Sequence, residues 1–229
     1  MEQLTEFFSQ NLSALFNYLV DANKRIYWVY LVSALALAIP AFIILPGAKS
    51  ITGFFRYVFP KKIYFAKSAQ HDYGLFIVNR FIKALLFGPI VITMVPIAIG
   101  TTEFLESIFG YLAPLELSST MIIAIFTFAL FIFDDFTRFL LHYFLHKIPF
   151  FWEFHKVHHS ATVLTPMTIY RSHPVESYLY ACRMALTQGF VVGLGYYFFG
   201  PTLKMADILG ANVFVFLFNF MGSNLRHSH

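Results

Sequence analysis

Five stretches of this chain run without a single charged side chain: Ile26 to Pro46, Ala84 to Thr102, Leu117 to Phe133, Met184 to Leu203 and Ile208 to Leu225. A helix needs roughly 20 mostly apolar residues to cross the hydrocarbon core of a bilayer, so these runs predict up to five spans. Their continuity matters, because a strand barrel would need short alternating segments, whereas unbroken apolar runs satisfy the backbone internally as helices. The expected fold class is therefore all-α, a multi-span helical integral membrane protein. At 58% hydrophobic and 12% charged residues, the chain does not have the composition of a water-soluble globule.

The charges between the runs set an orientation. Residues 47–70 hold Lys49, Arg56, Lys61, Lys62 and Lys67 with no acid, and residues 103–116 hold Glu103, Glu106 and Glu116 with no base. The positive-inside rule makes the first loop cytoplasmic and the second external. Carried forward, it brings Arg138, Lys147, Lys156 and Arg171 out on the cytoplasmic side, with a final hairpin returning Arg226, His227 and His229 to that face. Residues 1–23 carry Phe7, Phe8, Leu12, Leu15, Phe16 and Leu19 at helical spacing, which suits either a bilayer-surface helix or a terminal packing helix. No removable signal peptide is expected before Lys24 and Arg25. Without a Lys/Arg run resembling a phosphate-binding patch, nucleic acid is excluded as a partner. With no repeat or linker, residues 1–229 form one expected membrane domain.

Nine histidines occur, and five fall between residues 142 and 159. His142 and His146 are four apart, so both rings project from one helix face. Pro149 interrupts the pattern, and His155, His158 and His159 repeat the helical spacing on a second segment. The single cysteine, Cys182, leaves neither an intramolecular disulfide nor a thiolate cluster, so histidine must supply any metal ligation. Neutral imidazole suits iron, zinc and copper. Burying several unpaired polar rings costs a few kcal/mol each, and a shared metal gives them partners. His71 stands alone and is set aside. Asp135 lies two turns before His142 on the same face and is the candidate catalytic carboxylate, able to accept an imidazole N–H. Asp134 is as readily paired with Arg138.

HxxxH at 142–146, HxxHH at 155–159, and the phrases TPMTIYRSHPVE and NLRHSH further on together resemble the fatty acid hydroxylase and sterol desaturase superfamily of membrane di-iron enzymes. The resemblance covers roughly residue 120 to the end, and the histidine-box region is taken as 120–229. It implies a di-iron centre that uses O2 to attack a C–H bond of a lipid, by hydroxylation or desaturation. His142, His146, His155, His158, His159 and His227 are the metal ligands that it implies, and the family shows an aspartate at the place of Asp135. His173, held extended by Pro174, and His229 are left open between ligation and hydrogen bonding. The family has a further HxxHH box beyond the NLRHSH phrase, so the chain is expected to be a C-terminal truncation that is inactive or weakly metallated alone.

The expected partners are thus a lipid substrate, O2, the membrane and a separate electron donor of cytochrome b5, ferredoxin or reductase type. No GxGxxG loop or CxxCH is present to carry electrons within the chain. A zinc hydrolase would call for a glutamate in HExxH, a haem carrier for histidines on facing spans, and a transporter for polar groups at midplane. Neither box contains such a glutamate. The alternative kept is a non-catalytic or degenerate metal-binding relative lacking the last box.

Overall fold

The structure, a computed structural model, describes residues 2–21, 24–47, 50–87 and 93–203. Every regular element among them is helical, as the apolar runs predict. In order these are α1 (Glu2–Val20), α2 (Trp28–Ile44), α3 (Ile51–Val58), α4 (Lys61–Tyr64), α5 (Lys67–Ile82), α6 (Met94–Phe109), α7 (Ser119–Lys147), α8 (Pro149–His159) and α9 (Pro174–Phe199). A π-helical turn at Lys83–Phe87 extends α5, and 3-10 turns lie at Thr168–Tyr170 and Gly200–Thr202. The chain forms two compact units, Met1–Pro89 with Phe150–Glu176, and Ile90–Pro149 with Ser177–His229.

The first unit is organised on α5. Its apolar side receives α1, where Phe7 and Phe8 pack on Phe81 and the Tyr18 ring meets Phe76 and Tyr170. The N-terminal amphipathic stretch is therefore a packing helix here. Its other side is polar and buried, with Ser68, Asp72 and Asn79 all shielded. The return segment that follows α8 lies along it.

In the second unit, α6, α7 and α9 share a core of Ala98, Ile122, Phe126, Leu130, Val191, Val192, Phe199 and Leu203. Close approach is built in by glycine. A Cβ on Gly193 would fall 2.6 Å from the Ala98 carbonyl oxygen, and one on Gly189 would fall 2.5 Å from the Ile97 side chain. Leu115 N–H bonds to the Phe198 carbonyl at one end of this unit, and Tyr180 approaches His142 toward the other. Helices α7 and α9 therefore run antiparallel.

Local chemistry fixes the ends of these helices. Ser118 caps α7 by accepting from Met121 N–H at 3.3 Å, the usual stabilising role of an N-cap hydroxyl. Ile148 is extended because Pro149 follows it. Pro149 and Pro174 then occupy first-turn positions, where a missing N–H costs nothing.

With 29 residues, α7 is about 43 Å long, against about 30 Å of hydrocarbon. Among the described residues it is the one helix long and apolar enough to cross a membrane. Its outward face is as apolar as its core, with Phe128 67% and Phe139 64% exposed, the opposite of a helix buried in a soluble protein. The first apolar run forms the shorter Trp28–Ile44, and the run Met184 to Leu203 begins inside α9, behind a more polar first part, and extends through the 3-10 turn that follows Phe199. The fifth run, Ile208 to Leu225, lies outside the described residues, as do Asn219, Asn224, Arg226, His227 and His229.

Candidate metal centre

Each unit holds one histidine pair. In the second unit, α7 presents His142 and His146 from its last turns, with their Nε2 atoms 3.2 Å apart. His142 is half-buried and His146 exposed. The Tyr180 hydroxyl on α9 lies 3.4 Å from His142 Nδ1, a long contact for a hydrogen bond. Deeper on α7, Asp134 is buried and binds Arg138 at 2.6 Å and Arg183 at 2.9 Å. Arg183 also donates to the Asp134 carbonyl at 3.1 Å and to Thr137 Oγ1 at 2.9 Å. The ion pair open to Asp134 in the sequence is thus formed, with Arg183 as a second cation that the sequence did not announce. Asp135 faces outward and is exposed.

In the first unit, α8 carries the second box. His155 is 1% exposed, and its Nδ1 lies 3.0 Å from Glu176 Oε1. Its Nε2 lies 3.1 Å from His159 Nε2. His158 Nδ1 is 3.2 Å from the Arg171 carbonyl. Because a carbonyl only accepts, Nδ1 must carry the proton, and Nε2 keeps the lone pair a metal would use. Burial pushes the Glu176 carboxyl up to about 7, opposed by the His173 backbone N–H and the Lys83 charge. Its other oxygen, Oε2, is buried with no hydrogen-bond partner among the described residues.

These distances fit metal ligation. Imidazole nitrogens bound to one ion at about 2.1 Å, at roughly right angles, lie about 3 Å from each other, which both Nε2 pairs match. The same spacing serves an N–H···N bond while no ion is bound. The protein also supplies what lies behind such ligands, since a ligating histidine usually gives its other N–H to a carboxylate or carbonyl. His155 and His158 each have such a partner, Glu176 and Arg171.

His173 uses its ring otherwise. Its Nδ1 accepts from Val175 N–H at 3.2 Å, and its face packs on Phe154, the structural role its pre-proline position allows. His71 is exposed on α5. Sequence reasoning grouped Glu176 with the His-Pro phrase without giving it a role. The signal was there, for an acid shortly after the His-Pro pair, in the first turn of α9, needs a polar partner once it is buried. An apolar cavity of about 710 Å³ lies in the second unit, lined among others by Met94, Ile99, Glu103, Val192 and Tyr196. Those α9 residues are roughly 18–24 Å along the helix from Tyr180, so this cavity does not adjoin the first box.

Residues 127–229 match the family model of the fatty acid hydroxylases. Over those residues the chain is similar to a fatty acid hydroxylase domain, of the fatty acid hydroxylase and sterol desaturase superfamily, and the matched segment contains both boxes and Glu176. At the coarse level this is a domain of lipid-modifying oxidoreductases. No curated protein and no solved structure matches the chain.

Proposed function

We propose that this protein carries out O2-dependent oxidation of a lipid C–H bond, by hydroxylation or desaturation, at a di-iron centre. The ligands would be His142, His146, His155, His158, His159 and His227, with Asp135 as a supporting carboxylate. The observation that carries the reading is the pairing of Nε2 atoms at 3.1–3.2 Å in both boxes inside a segment that matches the hydroxylase family model. The two pairs lie on α7 and α8, which adjoin at Ile148 and Pro149 with no intervening loop.

An iron pair bound there would supply oxygen activation and C–H oxidation. The chain's own residues do the rest. Glu176 and the Arg171 carbonyl hold the His155 and His158 rings by Nδ1, so that Nε2 faces away from them. The apolar outer face of α7 suits a substrate that reaches the site without leaving lipid, in surroundings that keep water from a reactive centre. Electrons would come from a separate donor of cytochrome b5, ferredoxin or reductase type. We further propose a multi-pass topology with the boxes on the cytoplasmic side. In α7 the apolar part ends near Phe133, which leaves the turns with Arg138, His142, His146 and Lys147 to emerge at a membrane surface.

The test is to purify the chain from membranes grown with iron, and to measure metal content and O2- and donor-dependent oxidation of a lipid extract by mass spectrometry. About two irons per chain with product formation is the expected result. Haem absorbance, or zinc accompanied by peptidase activity, would overturn the reading.

A further inference from the structure

Residues 160–173, between the second box and α9, are strapped to α5 by buried polar contacts that metal ligation does not itself require. Ser68, Asp72 and Asn79 recur at spacings of four and seven, which puts them on one face of α5. Asp72 is fully buried. Its Oδ2 accepts from Thr168 Oγ1 at 2.7 Å, and its Oδ1 accepts from Nε of Arg171. Arg171, 2% exposed, donates Nη2 to the Ser68 carbonyl and, at 2.9 Å, to the Ser68 hydroxyl. Its Nη1 donates to Ser160 Oγ at 3.0 Å. The next residue is pinned too, as Asn79 Nδ2 donates to the Ser172 carbonyl at 2.7 Å.

A buried ion pair by itself says little, because apolar residues of similar volume often replace one without loss of stability. The contacts around this pair say more. Besides the Ser68 bonds on α5, Asp72 accepts from Thr168 and Arg171 donates to Ser160, residues that flank the loop following the box, and the Arg171 carbonyl is the acceptor for His158 Nδ1–H at 3.2 Å.

We propose that Asp72 is a positioning residue for His158: by fixing Arg171 it fixes the carbonyl that selects the Nδ1–H tautomer, and so directs the Nε2 lone pair to the metal. The proposal rests on the di-iron reading above. It places a determinant of the second box on α5, outside the segment that matches the family model.

The experiment uses the full chain in lipid nanodiscs with 15N-labelled histidine. The His158 ring signals are assigned by their loss in His158→Gln, first without metal and then in a ferrous iron titration. In Asp72→Asn the Nδ1–H signature of His158 is expected to give way to mixed tautomers, and iron affinity to fall roughly 10- to 100-fold. Asp72→Glu should restore most of both. Should Asp72→Asn not fold, the double variant Asp72→Leu, Arg171→Leu keeps apolar volume and the backbone carbonyl while removing the clamp, and it should show the same tautomer loss. A folded variant that keeps the His158 tautomer, with iron affinity within threefold, overturns the proposal. If the unsubstituted chain binds no iron, the di-iron reading falls, while the metal-free tautomer still decides the role of Asp72.

Discussion

The two histidine boxes are built to different standards of rigidity. In the second, His155 is buried against a carboxylate, and His158 is tied to a carbonyl whose residue is clamped from another helix. In the first, both rings sit on one helix near its end, and a tyrosine hydroxyl stands behind His142 at 3.4 Å. Ion pairs of that unit join Asp134, deeper on α7, to Arg138 and Arg183. The carboxylate and the carbonyl behind the His155 and His158 rings should make the second box strongly dependent on its outer partners for metal affinity, whereas the hydroxyl behind His142 stands at a longer distance.

The largest effect should follow from removing a ring of the ordered box. His155→Ala is expected to weaken iron binding by more than about 100-fold, beyond the loss usual for an outer partner, with His142→Ala costing less. Titration of both variants with ferrous iron measures the contrast, and equal losses would break it. Next comes Glu176→Gln, which keeps size but replaces the carboxylate behind His155. A loss of roughly 10- to 100-fold in metal affinity is expected, read by the same titration.

Asp134→Asn probes the other unit and should separate stability from binding. It leaves Arg183 short of its counter-charge, a change that can cost about 3–5 kcal/mol for a fully buried pair. Arg138 stays partly exposed and screened, so a smaller loss of about 1–2 kcal/mol is expected. Thermal unfolding in detergent should record it. Iron affinity should stay within threefold, and a larger drop would show that the Asp134 cluster supports the first box after all.

Much of this was legible in the sequence because it is periodic. Apolar runs gave the helices, prolines gave the breaks at 149 and 174, and i,i+4 spacing put His142 beside His146 and His155 beside His159. What was not legible depends on contacts far apart in sequence. The bond from Thr168 to Asp72 joins residues separated by 96 positions, and nothing local marks Asp72 as more than a polar residue beside His71. Asp135 shows the opposite limit. Spacing places it and Asp134 equally well, and only packing decides that Asp134 is the buried one. The charge reading of topology and the ligand role of His227 concern relations that the described residues do not contain.

The smallest expected effect tests the contrast between the boxes most sharply. If Tyr180 donates to His142 Nδ1, the proton of that imidazole lies on Nε2, the wrong place for ligation through that atom. If Tyr180 accepts, Nε2 is available. At 3.4 Å neither arrangement is strong enough to select a tautomer by itself, and the 3.2 Å contact between the Nε2 atoms of His142 and His146 is the closer of the two. Tyr180→Phe should therefore weaken iron binding by less than about threefold, in keeping with a hydrogen bond worth well under 1 kcal/mol. A loss above tenfold would mean that Tyr180 serves His142 as Glu176 serves His155, and the two boxes would then be equally preorganised.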